Sequence, residues 1–320
     1  MAFEKFFEDW LERRLPRVER IRLGRRSIFT FPSRAGLFFL LVLALLWLLA
    51  INYENNVVFF FAALLGAVFV VTILHGYSNV AGVTLRILAV DSGFPGESLR
   101  VDIELSHDGK RHRDDIKLYF PGTTPQQVSL AKGTDSTVAS LYVRAKRRGR
   151  LRPGRLTVES VYPLGLIRIW SHVRLDGWGA VYPRPGAGAS HADGGGAESG
   201  AVQSEVAGTE DFAGLEPYRQ GEAWNRIAWK QVARGQGVYT KHFVDPAAEP
   251  QWLDWAHFPD LDRESRLSRL CGAVLEADMA GRDYGLKLPG ESSALGQGEA
   301  HRTRLLRMLA LFECEDQEAG

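Results

Sequence analysis

The chain has 320 residues, 45% of them hydrophobic and 24% charged, with 39 Lys and Arg against 38 Asp and Glu for a net charge of +1. That balance leaves no electrostatic footprint for nucleic acid, and neither a zinc-ribbon spacing nor a basic-aromatic stripe accompanies it. The two cysteines, Cys271 and Cys314, lie far apart without a C-x-x-C, which argues against a disulfide framework and fits a reducing compartment.

Residues 1–34 form an amphipathic and basic N-terminal segment. Phe3, Phe6, Phe7, Trp10, Leu11 and Leu15 recur at helical spacing until Pro16. This pattern suits either a helix lying in a membrane interface or one packed on the soluble part of the protein. Residues 35–74 follow as a predicted transmembrane hairpin. Residues 35–51, AGLFFLLVLALLWLLAI, and 57–74, VVFFFAALLGAVFVVTIL, carry no charge and no proline. Each reaches the short end of the roughly 17–25 residues that cross a bilayer as a helix. Apolarity on every face is what lipid requires. The linking residues Asn52, Tyr53, Glu54, Asn55 and Asn56 are few enough to force an antiparallel pair. Arg13, Arg14, Arg17, Arg20, Arg22, Arg25, Arg26 and Arg34 precede the first span, Arg86 and Arg100 follow the second, and the loop has no Lys or Arg. The asymmetry predicts both termini, and with them the soluble domains, in the cytoplasm.

Over residues 80–183 the periodicity changes to two. Val83, Leu85 and Ile87 alternate with Thr84 and Arg86; Leu99, Val101, Ile103 and Leu105 alternate with Arg100, Asp102 and Glu104. Further strands are predicted at 116–120, 127–130, 137–144, 154–161 and 166–175, separated by turn pairs such as Pro121-Gly122 and Lys132-Gly133. The spacing implies an all-β sandwich. Within it Arg144, Lys146, Arg147, Arg148, Arg150, Arg152 and Arg155 form a basic cluster, either a solvated turn or a contact with anionic headgroups. Residues 184–200 are a Gly-rich linker with too little apolar surface to pack. Residues 201–320 mix helical and strand signals: a helix over 223–234, strands at 237–244, 250–255 and 284–288, and helices over 265–280 and 301–312. Their alternation indicates an α/β layer.

The densest stretch, residues 208–243, reads GTEDFAGLEPYRQGEAWNRIAWKQVARGQGVYTKHF. Its charges, Glu210, Asp211, Arg219, Glu222, Arg226, Lys230 and Arg234, alternate in sign among Phe212, Tyr218, Trp224 and Trp229. That mixture suits an internal joint or a partner-binding surface. No Ser or Cys nucleophile stands paired with a His here, and His242 falls in a strand of alternating polarity, so no catalytic residue is assigned.

The stretch resembles the signature of the domain of unknown function 58 family through Gly208, Glu210, Phe212, Leu215, Tyr218, Gly221, Arg226, Trp229, Lys230, Ala233 and Arg234. Tyr162-Pro163-Leu164-Gly165-Leu166 stands where that family has Asp-Pro-x-Gly-Leu, and the paired hairpin and β-rich segment also match. Glu216 in place of Arg and Glu222 in place of Asp are departures. The resemblance implies a von Willebrand type A-like domain beginning near Pro250, whose first strand would end in Asp-x-Ser-x-Ser. Here Asp254-Trp255-Ala256-His257-Phe258 lacks both serines, so Asp254 marks a degenerate position at which no metal is expected. With about 70 residues left, the domain is expected to be truncated, with two strands and two helices. The resemblance further implies a non-enzymatic adaptor or assembly factor in the bacterial cytoplasmic membrane. Its expected partners are membrane lipid, a MoxR-type AAA+ ATPase and a transglutaminase-like membrane protein, with no cofactor and no small-molecule substrate. A membrane-bound hydrolase with a site in the C-terminal domain and a structural envelope component are the alternative readings.

Overall fold

The computed structural model describes residues 17–108, 111–133, 136–186, 212–217, 239–243, 250–314 and 316–318. Two compact units divide it. The first takes the chain up to Arg184 together with the residues from Arg307 onward; the second is Pro185–Leu306.

The first unit opens with three short strands, β1 (Arg17–Val18), β2 (Arg20–Arg22) and β3 (Ile28–Pro32), and then two long helices. Helix α1 (Arg34–Asn52) starts at Ser33, whose hydroxyl accepts from Gly36 N at 3.0 Å. Helix α2 (Asn56–Val80) starts at Asn55, whose Oδ1 accepts from Val57 N and Val58 N. These caps satisfy amides that a helix start leaves unpaired. Phe39 stacks on Phe69 at 5.8 Å and Trp47 meets Phe59 edge-on at 4.6 Å, so the helices pair side by side. Their outer faces are apolar and bare. Both helices are long and apolar enough to cross a membrane. At 25 residues, α2 spans about 37 Å, longer than the roughly 30 Å hydrocarbon layer.

Next come β4 (Thr84–Val90), β5 (Ser98–Ser106), β6 (Arg113–Tyr119), β7 (Gln126–Leu130), β8 (Ser136–Arg144), β9 (Gly149–Arg152), β10 (Arg155–Ser160), β11 (Ile167–Leu175) and β12 (Gly179–Val181). One sheet runs β1-β11-β10-β6-β7, with β3 also on β11; the other runs β2-β4-β5-β8. Leu99, Val101, Ile103 and Leu105 of β5 face Ile116 and Leu118 of β6 and Ile167, Ile169 and Val173 of β11 in one buried core. A period of two therefore points one row of each strand inward, the arrangement of a sandwich. Residues 17–32, grouped with the N-terminal segment in the sequence, instead pair into both sheets: Ile21 lies opposite Leu85, and Ile28 opposite Ser171.

The second unit contains β13 (Phe212–Pro217) paired antiparallel with β14 (Tyr239–Phe243), as well as β15 (Gln251–Asp254), α3 (Arg263–Met279), β16 (Tyr284–Leu288) and β17 (Glu291–Ser292). Strands β15 and β16 are parallel, and β17 adds antiparallel to β16. A parallel pair needs a crossover, which α3 supplies. Asp262 caps α3, and hydrogen bonds from Ser265 hold its carboxyl below the ordinary range. Leu267, Leu270, Cys271 and Val274 are its buried face. Burial pushes the Cys271 thiol up to about 12. The unit boundary falls inside α4 (Glu299–Leu311), and β18 (Asp316–Glu318) pairs parallel with β9 in the first unit.

Candidate functional site: the joint of helix hairpin and sandwich

The last carbonyls of a helix have no partner within it. At the end of α2 they meet a buried arginine. One terminal nitrogen of Arg113 donates to the carbonyls of Ser78 (2.9 Å), Asn79 (2.8 Å) and Ala81 (2.7 Å). Arg113 is only 5% exposed, and a cation at this end also meets the negative pole of the helix dipole. Desolvation lowers its pKa, with Asp108 pulling the other way. Strand β6 aims Arg113 inward through a bulge: the β6–β7 register shifts between Arg113 and Ile116, and Asp115 takes a φ of 51°. Bulges re-aim side chains in this way, and Asp tolerates the left-handed region better than most residues.

Asn79 fastens the same turn. Its Nδ2 donates to Asp114 O (2.6 Å) and to Ser160 Oγ (3.0 Å), while its Oδ1 accepts from Asp114 N (3.0 Å). A buried amide satisfied on both sides fixes position as well as contributing stability.

The start of α1 is fastened on the other side of one turn, residues 162–166, between β10 and β11. Ser33 N donates to Leu166 O at 2.8 Å and Ser33 Oγ to Gly165 O at 2.5 Å. A Cβ on Gly36 would run into the Leu166 carbonyl, and one on Gly76 of α2 would lie 2.6 Å from Ile169 Cδ1 and 2.9 Å from Tyr162 O. Both helices thus press glycine against the Tyr-Pro-Leu-Gly-Leu turn, which contains the cis Tyr162–Pro163 bond. On the outer face of β10 and β11, Glu159 accepts from Arg168 (2.7 Å) and Tyr119 (2.9 Å). Burial alone would raise its pKa, but these bonds outweigh it and hold the carboxyl below its ordinary value.

The basic cluster has a use that neither sequence reading named. Arg148 donates to the carbonyls of Leu309, Ala310 and Phe312, capping the end of α4. Arg152 bonds Asp176 and Asp316. Arg150 and Arg307 lie over the Trp178 ring at 4.7 and 4.4 Å. The α4 carbonyls and Asp316 lie some 160 residues away in the chain, out of reach of any local pattern.

Of the signature positions, Phe212 and Leu215 fall on β13, with Phe212 opposite Phe243 and Leu215 opposite Lys241. Gly208, Glu210, Tyr218, Gly221, Arg226, Trp229, Lys230 and Arg234 lie outside the described residues, as does the helix predicted over 223–234. Asp254 ends β15, where its Oδ1 accepts from Ala256 N at 2.9 Å and caps the short 3-10 turn Trp255–His257. Sequence reasoning missed a brace in the second unit. Asp278 accepts from Tyr284 OH (3.1 Å) and Arg302 (2.9 Å), and His301 Nε2 lies 2.8 Å from Tyr284 O. Tyr284 is fully buried, and burial beside Asp278 raises its pKa. Asp278 and Tyr284 sit six apart across a turn, a spacing with no periodic signature.

No protein-family model matches the chain, and no curated protein matches it. The joint's own geometry therefore speaks for function. It holds two apolar helices at fixed positions on a sandwich by capping, close glycine contact and a satisfied amide.

Proposed function

We propose that this chain is a non-enzymatic, membrane-anchored adaptor whose sandwich is held rigidly at the bilayer surface. The observation that carries this reading is the joint. Arg113 and Asn79 lock the end of α2 to β6 and β10, and Ser33 locks the start of α1 to the 162–166 turn. An anchor serving only as a tether needs neither contact. The arginine asymmetry around the hairpin supports a cytoplasmic location for both termini.

The partner half of the reading comes from the resemblance of residues 208–243 to the domain of unknown function 58 signature. On that basis the partners are a MoxR-type AAA+ ATPase and a transglutaminase-like membrane protein, and β15, α3, β16 and α4 belong to a truncated von Willebrand type A-like domain. In that domain Asp278, Tyr284, Arg302 and His301 brace helices against strand, which supports a scaffold over a hydrolase.

The test is photo-crosslinking in native membranes from a probe at Trp229 in the full chain. Recovery of an AAA+ ATPase, lost when Arg226 and Lys230 are both replaced by Ala, supports the adaptor. Hydrolytic activity of the purified chain, abolished by Asp278→Asn, would replace it with the enzyme.

A further inference from the structure

We propose that the 162–166 turn is itself inserted into the bilayer, so that the sandwich grips lipid at a third point beside the two helices. This rests on the reading that α1 and α2 span the membrane.

Depth comes first. Pro163 and Leu164 border a groove of about 370 Å³ whose other wall is α2 at Val68, Val71, Thr72 and His75. At 1.5 Å per residue, Val68 and Thr72 lie about 18 and 24 Å along α2 from Asn56, inside a hydrocarbon layer of roughly 30 Å. A turn beside them shares their depth.

Composition agrees. Leu164 is 56% exposed, and Pro163 is exposed beside it. Two other turns at strand ends of the sandwich are polar, Gly122-Thr123-Thr124 and Lys132-Gly133. The surrounding helix surface is equally bare and apolar: Leu37, Phe38, Val71 and Leu74 are all exposed. The patch is thus continuous with the spans, and the chemistry that covers the spans is an acyl chain.

Backbone pairing covers much of the turn and so lowers the cost of placing it in lipid, where peptide groups must be paired within the protein. Pro163 has no N–H. Gly165 N donates to Val161 O at 2.9 Å, and Tyr162 N to Ser160 Oγ at 3.3 Å. The Gly165 and Leu166 carbonyls accept from Ser33.

Strand β11, which leaves the turn, and its neighbour β3 fit the headgroup layer. Phe31 lies opposite Arg168, and Phe29 opposite Trp170. Phe29 stacks on Trp170 at 6.0 Å, and Arg168 lies over the same indole at 5.1 Å. Exposed aromatics with arginine are the residues that occupy a membrane interface.

The experiment uses the full chain carrying Cys271→Ala and Cys314→Ala, with one new cysteine at a time: Leu164→Cys, Phe38→Cys on α1, or Thr124→Cys in the polar turn after β6. Each carries an environment-sensitive fluorophore and is reconstituted into phosphatidylethanolamine–phosphatidylglycerol vesicles containing doxyl-labelled phosphatidylcholine. The expected result is several-fold stronger quenching at Leu164 and Phe38 than at Thr124. Quenching at Phe38 with Leu164 matching Thr124 overturns the proposal and leaves the anchor standing. A Leu164 probe shielded from aqueous iodide yet unquenched by lipid means that protein covers the turn, and also overturns it. Absence of quenching at Phe38 removes the anchor and the proposal together.

Discussion

The buried polar cluster at the end of α2 and the one between α3, β16 and α4 solve opposite problems. Arg113 faces backbone carbonyls, so its charge answers a helix dipole and a set of unpaired acceptors. Asp278 faces a phenol and a guanidinium, so its charge answers other side chains. The first arrangement fixes where a helix ends. The second fixes how two helices and a strand pack, and it includes a group that titrates. The joint should therefore respond to donor geometry and space, the brace to pH.

The largest expected effect is at Arg113. Hydrogen bonds from a charged donor contribute about 1.5–3 kcal/mol each. Water recovers part of that at a helix end, so Arg113→Ala should cost about 3 kcal/mol in thermal unfolding of the reconstituted chain. Arg113→Lys keeps the charge but loses the planar donor set, and should recover less than half. Full recovery by Lys would reduce the joint to simple electrostatics.

Next in size is Gly36→Ala. The added methyl would overlap the Leu166 carbonyl deeply, whereas the methyl of Gly76→Ala comes 2.6 Å from Ile169 Cδ1 and 2.9 Å from Tyr162 O, a smaller overlap. Overpacking costs about 1–3 kcal/mol, so Gly36→Ala should fall near the top of that range and Gly76→Ala near the bottom, read as an ordering of melting temperatures. Equal effects would mean that the turn yields to the deeper overlap as easily as to the shallower one.

Tyr284→Phe removes one hydrogen bond to Asp278, at about 1–1.5 kcal/mol. The folded pKa of Tyr284 is raised. Its contribution is therefore complete below the ordinary tyrosine pKa near 10. It is lost as pH climbs from there towards the folded value, because the unfolded phenol ionises first. The variant should show a shallower alkaline fall in stability than the wild type between pH 9 and roughly 11. Unchanged steepness would remove Tyr284 from the titrating set. The smallest effect expected is for Arg148→Ala, about 1 kcal/mol, since the end of α4 can take water in its place.

Period and length carried the large elements. The strands β4, β5, β8 and β11 alternate over seven to nine residues, and the two apolar runs could hardly be anything but helices. Helix α2 nevertheless continues past Leu74 to Val80, because its last turn is stabilised by Arg113 and Asn79 rather than by its own apolarity. Strands β1 to β3 escaped notice for a related reason. Ile21, Leu23 and Ile28 are too few to set a period among the arginines, and only their tertiary pairing with β4 and β11 makes them strand. The joint was partly visible: the Tyr-Pro-Leu-Gly-Leu turn stood out through resemblance, but nothing in the sequence set Arg113 apart. A bulge at Asp115 turns it inward, and no pattern of residue types announces a bulge.

The central claim is that the hairpin and the sandwich form one mechanical body. Amide hydrogen exchange of the full chain in lipid nanodiscs tests it most directly, read at residues 76–81 and 160–166 against the core strand β5. The account predicts that both segments exchange as slowly as β5, and that Arg113→Ala combined with Asn79→Ala speeds them while leaving β5 protected. Rapid exchange at 76–81 in the wild type, indifferent to those substitutions, would show a flexible tether and contradict it.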